Sequence, residues 1–406
     1  MSYVVAFNGA RDFYQVPLAL HERRLLERLV TDVYYSDHVL ARGMPWMKRF
    51  RHRHIEGLPS RLTKSDWYAT ALQVLGPRGF GPLLALSPYK VFNIVDDHLS
   101  RVALKVAQRA DADLFLYSGY AYEAFSRSAS RRKGLFVFHP HHRLVREILE
   151  ADYAKHPECL WSMRQEQEAA QSTERLAKFD HEIELADFVV CASSFTKRSL
   201  LHMGCAENKI SVVPYGTHVT RPYREKRDGV CRFLFVGQGI QRKGLHHLLQ
   251  AWRSLRFRDA ILTVIAYTID PEIARTVPDG VELLPAQPTG ALYDHYAQSH
   301  IFVMPSLVEG FGHVYLEALA MGCFVIGTDT SGLPDLHAPD WAVTYTAPGN
   351  LDGLGATMQA AYRSHREGAI PHAEIRRYAE SHLRWQAFRE KFASIAARMT
   401  FRAADE

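Results

Sequence analysis

Two glutamates, a pair of glycines and one lysine carry most of the chemistry legible in this chain. In "MPSLVEGFGHVYLEALAMGCFVIGTD" (304–329) a strand runs to Pro305, a loop holds Glu309, Gly310, Phe311 and Gly312, and a helix begins near Gly312 or His313. The glycines flanking Phe311 let the backbone come close to a ligand. The amides from Phe311 to Val314 open the helix, where backbone N–H groups have no intrahelical acceptor and the dipole is positive, which suits a phosphate. Glu309 lies just ahead of those amides and Glu317 lies inside the helix. A carboxylate beside an anion site is electrostatically awkward, so its task is to accept hydrogen bonds from uncharged donors such as the hydroxyls of a sugar. Taken singly, each glutamate reads as a solvated residue; their grouping with the glycines and the helix start points to a site.

The segment "FLFVGQGIQRKGLHHLLQAW" (233–252) has the same design: a strand, a loop with Gly237, Gln238 and Arg242, then Lys243-Gly244 at a helix start. A lysine there adds a point charge to the helix's positive end, and both favour a diphosphate.

The elements that must position these residues alternate along the chain. Short β-branched or aromatic runs ("YVVAFN", "DLFLY", "GLFVF", "DFVVCA", "ISVVP") are followed by stretches of helical period, and the pattern restarts at "RFLFVG" with "ILTVIA", "VELL", "IFVMP" and "CFVIG". Parallel strands joined by crossover helices are the expected result. Residues 17–30 read as a helix, as do 141–155, 161–185, 243–255, 372–382 and 384–400, while 40–100 read as irregular. The polar segment 217–229 is the expected linker. It separates a first domain, 1–216, from a second, 230–371, and leaves C-terminal helices in 372–406 free to pack back on the first.

At 406 residues the chain has room for two cores. No apolar run reaches the ~18 residues that span a bilayer, and the N-terminal run is interrupted by Arg11 and Asp12, so it reads as a first strand. Five scattered cysteines without a Cys-x-x-Cys pair fit a reduced, cytoplasmic chain with no structural zinc. The net charge of +5 is concentrated between Arg42 and Lys64, where seven bases face the single acid Glu56 and alternate with aromatics. That window is either a solvated loop or a surface for an anionic acceptor or for peripheral contact with an anionic membrane at its inner face. No nucleic-acid-binding module accompanies it.

The stretch "EGFGHVYLE", a glutamate, seven residues and a second glutamate, resembles the signature of family 4 glycosyltransferases, and "EALAMGCFVIGTDTSGLPD" continues the likeness. The resemblance implies the GT-B fold, an α/β arrangement of two Rossmann-like βα domains facing a central cleft. It also implies transfer of a sugar, expected to be a hexose, from a nucleotide-diphosphate-sugar donor with retention of configuration. The leaving phosphate would help to deprotonate the acceptor. By the same likeness Glu309 contacts the transferred sugar, Glu317 the ribose diol, and the amides of Phe311, Gly312, His313 and Val314 the donor's sugar and diphosphate. Lys243 would bind the donor phosphates together with an arginine that directly follows the first glycine in the family. Here Gln238 follows Gly237, which leaves Arg242 as a substitute.

Correspondence is looser in the first domain. "FNGARDFYQ" has a single Gly9 where the family often has two glycines; Gly9 would admit a diphosphate, and Arg11, Asp12 and Tyr14 would shape the acceptor side. In "HPHH" the histidine expected to face the reacting sugar is His139, with His141 and His142 as alternatives. His218 stands where many members have aspartate. Glu309, Lys243 and His139 thus form the expected catalytic set. Asp111-Ala-Asp113 begins a strand, so no metal or other cofactor is expected. The acceptor stays open among glycans, lipid-linked glycans and small molecules, within polysaccharide or glycoconjugate synthesis. A nucleotide-sugar epimerase of similar fold and a catalytically silent nucleotide-sugar-binding protein remain as alternatives. No G-x-G-x-x-G opening a helix supports a dinucleotide enzyme.

Overall fold

A computed structural model describes residues 2–35, 50–75, 88–128, 131–218, 221–226 and 229–401. The first sheet is built from β1 (Tyr3–Ala6), β2 (Leu26–Thr31), β3 (Thr63–Ser65), β4 (Asp113–Tyr117), β5 (Lys133–Val137), β6 (Phe188–Cys191) and β7 (Ile210–Val212). All its pairings are parallel, in the order β3-β2-β1-β4-β5-β6-β7. The second sheet contains β8 (Cys231–Val236), β9 (Ala260–Ile265), β10 (Val281–Leu284), β11 (Ile301–Val303), β12 (Phe324–Thr328) and β13 (Val343–Thr346). It is parallel throughout, in the order β10-β9-β8-β11-β12-β13. Helices cover both faces of such sheets, so the central strands are apolar without alternation. Both β1 and β11 are buried at every position.

Each sheet reverses its strand order next to its first strand, between β1 and β4 and between β8 and β11. Crevices at such switch points, beyond the carboxyl ends of the strands, are where ligands bind in this class of fold. The helices that matter for the site are α1 (Gln15–Glu22), α2 (His142–Tyr153), α3 (Thr173–Leu185), α4 (Leu245–Leu255), α5 (Thr289–Gln298), α6 (His313–Ala320) and α7 (Trp385–Phe401). Among the described residues no helix is long and apolar enough to cross a membrane.

Four local expectations need correction. Residues 40–100 are not irregular throughout: among the described ones Thr63–Ser65 joins the first sheet as β3, and helices span Trp67–Leu75 and Pro88–Ala110, the latter packing on β1 and β2. Residues 17–30 are not one helix: α1 stops at Glu22, Arg24 takes a left-handed φ of 60°, and the chain re-enters the sheet as β2. The spacing of Leu18, Leu25, Leu26 and Leu29 fits a helix face, but Leu29 and Val30 are wholly buried between β1 and its covering helices. Residues 161–185 are also broken. A short helix, Leu160–Gln165, ends at Glu166 in extended conformation (φ −66°, ψ 145°), and Ser172 caps α3 by accepting from the Arg175 amide. Finally, α4 starts at Leu245 rather than 243, because Gln241–Lys243 form a single 3-10 turn closed by Gly244 at φ 70°. Any Cβ at Gly244 would strike the Pro305 carbonyl oxygen, so this turn is pinned against the end of β11.

The last helix, α7, lies on the first domain. The Tyr3 hydroxyl donates to Ala396 O at 3.2 Å, Phe392 packs edge-on to Phe115 at 5.0 Å, and Arg389 pairs with Glu22 on α1. The crossing is tight at Gly216, where a Cβ would collide with the backbone between Arg384 and Trp385.

Candidate functional site

The two domains meet along the carboxyl ends of their sheets. Ser193 Oγ donates to Gly310 O at 2.5 Å, and the Ser194 amide donates to Asp335 at 2.8 Å. Gly310 is required here, because a Cβ would collide with the carbonyl oxygen of Phe138. The loop after β11 is thereby pressed against the loop after β5.

Beside that contact lies a cavity of about 210 Å³ between the domains. From the second domain it is lined by Gly237, Lys243, Met304, Glu309, Phe311, Gly312, His313 and Val314; from the first by Asp12, Phe138 and Tyr215. Seven of the residues expected from sequence therefore share one wall. Lys243 forms an ion pair with Glu309 Oε2, and Glu309 Oε1 accepts from the Gly310 amide at 3.2 Å. Burial, then the neighbouring Arg242 charge, pull Lys243 well below the usual lysine range, while Glu166 opposes them. A desolvated ammonium of this kind gains from any further anion. Gly312, at φ 93°, caps α6, and Gly312, His313 and Val314 line the cavity at the helix's positive dipole end. His313 stacks on Tyr215 (centroids 4.6 Å apart), and burial lowers its pKa, against Asp12.

Six of the expected donor and catalytic residues, Gly9, His139, Gln238, Arg242, Gly310 and Glu317, do not line this cavity. Arg242 is held by Glu166 across the domain junction, with Nε 3.0 Å from Oε2, and its Nη2 donates to Gln238 Oε1 at 3.1 Å. His139 sits behind Phe138, against Gly310. Burial, then the Arg242 charge, with Lys243 adding to it, lower His139 to about 3, so the ring is neutral at physiological pH. Glu317 lies deeper along α6 and accepts from the Tyr296 hydroxyl of α5 at 2.9 Å; burial raises its pKa, against that hydrogen bond. Gly9 is turned elsewhere. Its amide donates to Asp32 at 2.9 Å, and Arg53, itself paired with Asp32, lies against it. Asp12 reaches the cavity in its place, through Asp12, Phe13 and Tyr14 in succession at φ 45°, 50° and 60°. Left-handed geometry costs a non-glycine residue roughly 1–2 kcal/mol. His218 packs near Trp385, with ring centroids 6.4 Å apart.

A second cavity, about 270 Å³, lies in the first domain and is lined by Arg11, Asp96, Tyr120, Phe138, His139, His141, His142 and Arg175 among others. Phe138 borders both cavities. The Arg11 guanidinium lies 4.0 Å from the centre of the Phe138 ring. Burial pushes Asp96 up to about 7, against Arg175 and Arg11. Sequence reasoning missed Tyr215, Glu166, Tyr296 and Phe138. For Tyr215 a signal existed, an aromatic at the end of "VVPYG"; for the others the partner lies on a distant element.

Residues 231–364 match the family model described as Glycosyl transferases group 1. The amylovoran biosynthesis glycosyltransferase AmsK of Erwinia amylovora is 27% identical over 183 residues, covering 41% of this chain and 45% of that protein. The MMP alpha-(1->4)-mannosyltransferase of Mycolicibacterium hassiacum is 23% identical over 232 residues, covering 54% of this chain and 56% of its own. The matches thus span about half the length of these curated relatives. Among solved structures, the sucrose-phosphate synthase of Thermosynechococcus elongatus superposes with a TM-score of 0.62 at 15% identity, covering 98% of this chain and 99% of that one. These likenesses bear out the GT-B fold and the resemblance to family 4 glycosyltransferases read from the sequence.

Proposed function

We propose that this protein is a glycosyltransferase that takes a sugar from a nucleotide-diphosphate donor, retains its configuration and needs no metal for the transfer. The observation that supports this best is the convergence of Lys243, Glu309 and the start of α6 on one interdomain cavity. As the bond from the anomeric carbon to the phosphate oxygen breaks, negative charge grows on the leaving diphosphate. Fixed donors aimed at that charge need no reorganisation. Lys243 exchanges its ion pair with Glu309 for the phosphate, and Glu309 is then free to accept from the sugar hydroxyls. Arg242 stands outside the cavity, held by Glu166 beside Gln238, and serves as the second cation by turning from Glu166 toward the phosphates. Neutral His139 lines the adjoining first-domain cavity, from which it can hydrogen-bond a sugar hydroxyl at the junction of the two cavities without adding charge next to Lys243.

The acceptor is assigned to the first-domain cavity. Its aromatic and charged lining suits a hydroxyl-rich molecule, and it adjoins the donor cavity at Phe138. The acceptor hydroxyl attacks the anomeric carbon, and its proton passes to the departing phosphate oxygen.

The test is nucleotide diphosphate release from a panel of nucleotide sugars, preceded by a thermal-shift screen. A ligand at 100 times its Kd stabilises by about 2.7 kcal/mol. Binding without release or product identifies a silent binding protein, and an isomerised donor identifies an epimerase. Turnover unaltered by added magnesium or manganese is expected; strict dependence on either overturns the metal-free reading.

Peripheral contact with an anionic membrane rests on the basic window. Residues 42–49 of that window lie outside the described residues, and Arg53 is paired with Asp32, which withdraws it from any such surface. Sedimentation with anionic vesicles at low and high salt tests the contact. Absence of low-salt binding removes it.

A further inference from the structure

Away from the donor cavity, side chains from both domains close on a single point. Asp152 lies at the end of α2 and His156 just beyond it; His246 and His247 open α4 on the other domain. His247 Nε2 lies 2.7 Å from Asp152 Oδ1, and His246 Nε2 lies 3.1 Å from Oδ2. The two rings are 3.9 Å apart, and each is within 5 Å of the His156 ring. One donor atom from each of the four residues lies within 4.8 Å of all the others. Asp152, His246 and His247 are buried, and His156 is half-buried, which leaves a way in from solvent.

Hydrogen bonding alone does not account well for this cluster. Gln241 Nε2 also donates to Asp152 Oδ2 at 2.7 Å, so the carboxylate accepts from three donors, which is within its capacity; the unexplained atoms are on the histidines. The Nδ1 atoms of His246 and His247 are buried with no hydrogen-bond partner. Unsatisfied polar atoms are rare in protein interiors and ask for an explanation.

We propose that Asp152, His156, His246 and His247 form a site for a zinc-class divalent cation that bridges the two domains. Three imidazoles and one carboxylate are a tetrahedral ligand set of the kind zinc takes. Imidazole favours zinc, copper or nickel, whereas magnesium and calcium want oxygen. Metal binding requires ionised carboxylate and neutral imidazole. None of the four residues lines the donor cavity. The connection to it runs through Gln241, which also donates to Leu149 O and lies two residues before Lys243 on the same 3-10 turn. The cation would therefore fix the domain junction and the turn that presents Lys243. Two other groupings, Cys231 with His300 and His365, and His141 with His142 and Asp180, provide internal comparisons. In the second of these, Arg143 already neutralises Asp180 at 2.6 Å.

The full chain, stripped with a chelator and desalted, is titrated with Zn²⁺ against a chromophoric chelator and with Co²⁺ by visible absorption. One equivalent with a tetrahedral cobalt spectrum is expected. His247→Gln and Asp152→Asn should weaken binding about 100-fold or more, and His300→Gln should leave it unchanged. Circular dichroism checks folding; should the buried variants misfold, His156→Gln removes a half-buried ligand and should weaken binding in the same way. Failure of the wild type to bind stoichiometrically overturns the site, as does binding that survives His156→Gln or is lost in His300→Gln. These readouts do not depend on turnover, so they stand or fall apart from the proposed activity.

Discussion

Arg242 Nη2 donates to Gln238 Oε1 at 3.1 Å, so a guanidinium four residues downstream reaches the side chain that directly follows Gly237. That is where the resemblance led one to expect an arginine. Glu166 holds the other edge of Arg242, with Nε within hydrogen-bond distance of both carboxylate oxygens. If Arg242 grips the donor, Arg242→Ala lowers turnover by at least ~10²-fold, as for other lost donors to a developing anion. Arg242→Lys should not restore it, because a lysine cannot span Glu166 and Gln238 at once. Steady-state rates of nucleotide diphosphate release decide this. A fully active Arg242→Lys would reduce the arginine to a point charge.

Lys243 and Glu309 are paired, and both are largely buried. Removing one partner leaves the other charge unpaired in a desolvated place, a loss typically of about 3–5 kcal/mol in fully buried pairs and less where water reaches. Lys243→Ala is expected to lower turnover ~10²-fold or more, and to lower Tm, with the double variant Lys243→Ala/Glu309→Gln recovering part of the Tm but none of the turnover. Glu309→Gln alone should lower kcat with little change in donor KM. Recovery of turnover in the double variant would mean that the pair is structural.

Glu317 differs in kind, because its partner is the Tyr296 hydroxyl rather than a cation. Its expected role is to accept from the ribose diol. Glu317→Ala should weaken binding of the bare nucleotide diphosphate by about 1.5–3 kcal/mol, the range for hydrogen bonds to a charged group. Tyr296→Phe frees the carboxylate to turn and should give a smaller loss of the same sign. Calorimetric titration with the diphosphate measures both, and unchanged affinity in Glu317→Ala removes the ribose assignment.

What could be read in the sequence was local. The loops after β8 and β11 announce themselves through strand runs, glycines and helix starts within some twenty residues, and the structure brings Gly237, Lys243, Glu309 and Phe311–Val314 to one cavity. Hidden features depended on distant partners. Arg242 finds Glu166 across 76 residues, and His246 finds Asp152 across 94, each pair joining different domains. No spacing rule reaches that far. The β2 strand was masked by leucines whose spacing also fits a helix, and by a left-handed turn at Arg24 that no glycine marks. Gly9 was legible as a permissive position, but its direction was set by Asp32, a residue with no motif around it.

His139 supplies a test by pH. Burial first, then the Arg242 charge, with Lys243 adding to it, lower its pKa from the ordinary value near 6.5 to about 3, although the Pro140 carbonyl opposes them. The folded protein therefore binds the His139 proton more weakly than the unfolded chain. Stability from this residue is fully present above pH 6.5 and is lost as pH falls from there towards 3. His141, lowered to about 4, and His372, lowered to about 3, chiefly by burial, add slopes of the same sign. Wild-type Tm should thus decline from pH 7 to pH 4, and His139→Gln should decline less steeply while the other two contributions persist. Catalysis should behave differently from stability. Because the ring stays neutral between pH 5 and 8, His139→Gln lowers the plateau of turnover but leaves the shape of the pH–rate profile in that range unchanged. An acid limb near pH 6.5 that is present in the wild type and absent from His139→Gln would show that the ring titrates in the working enzyme, and that its neighbourhood with Lys243 is open to water.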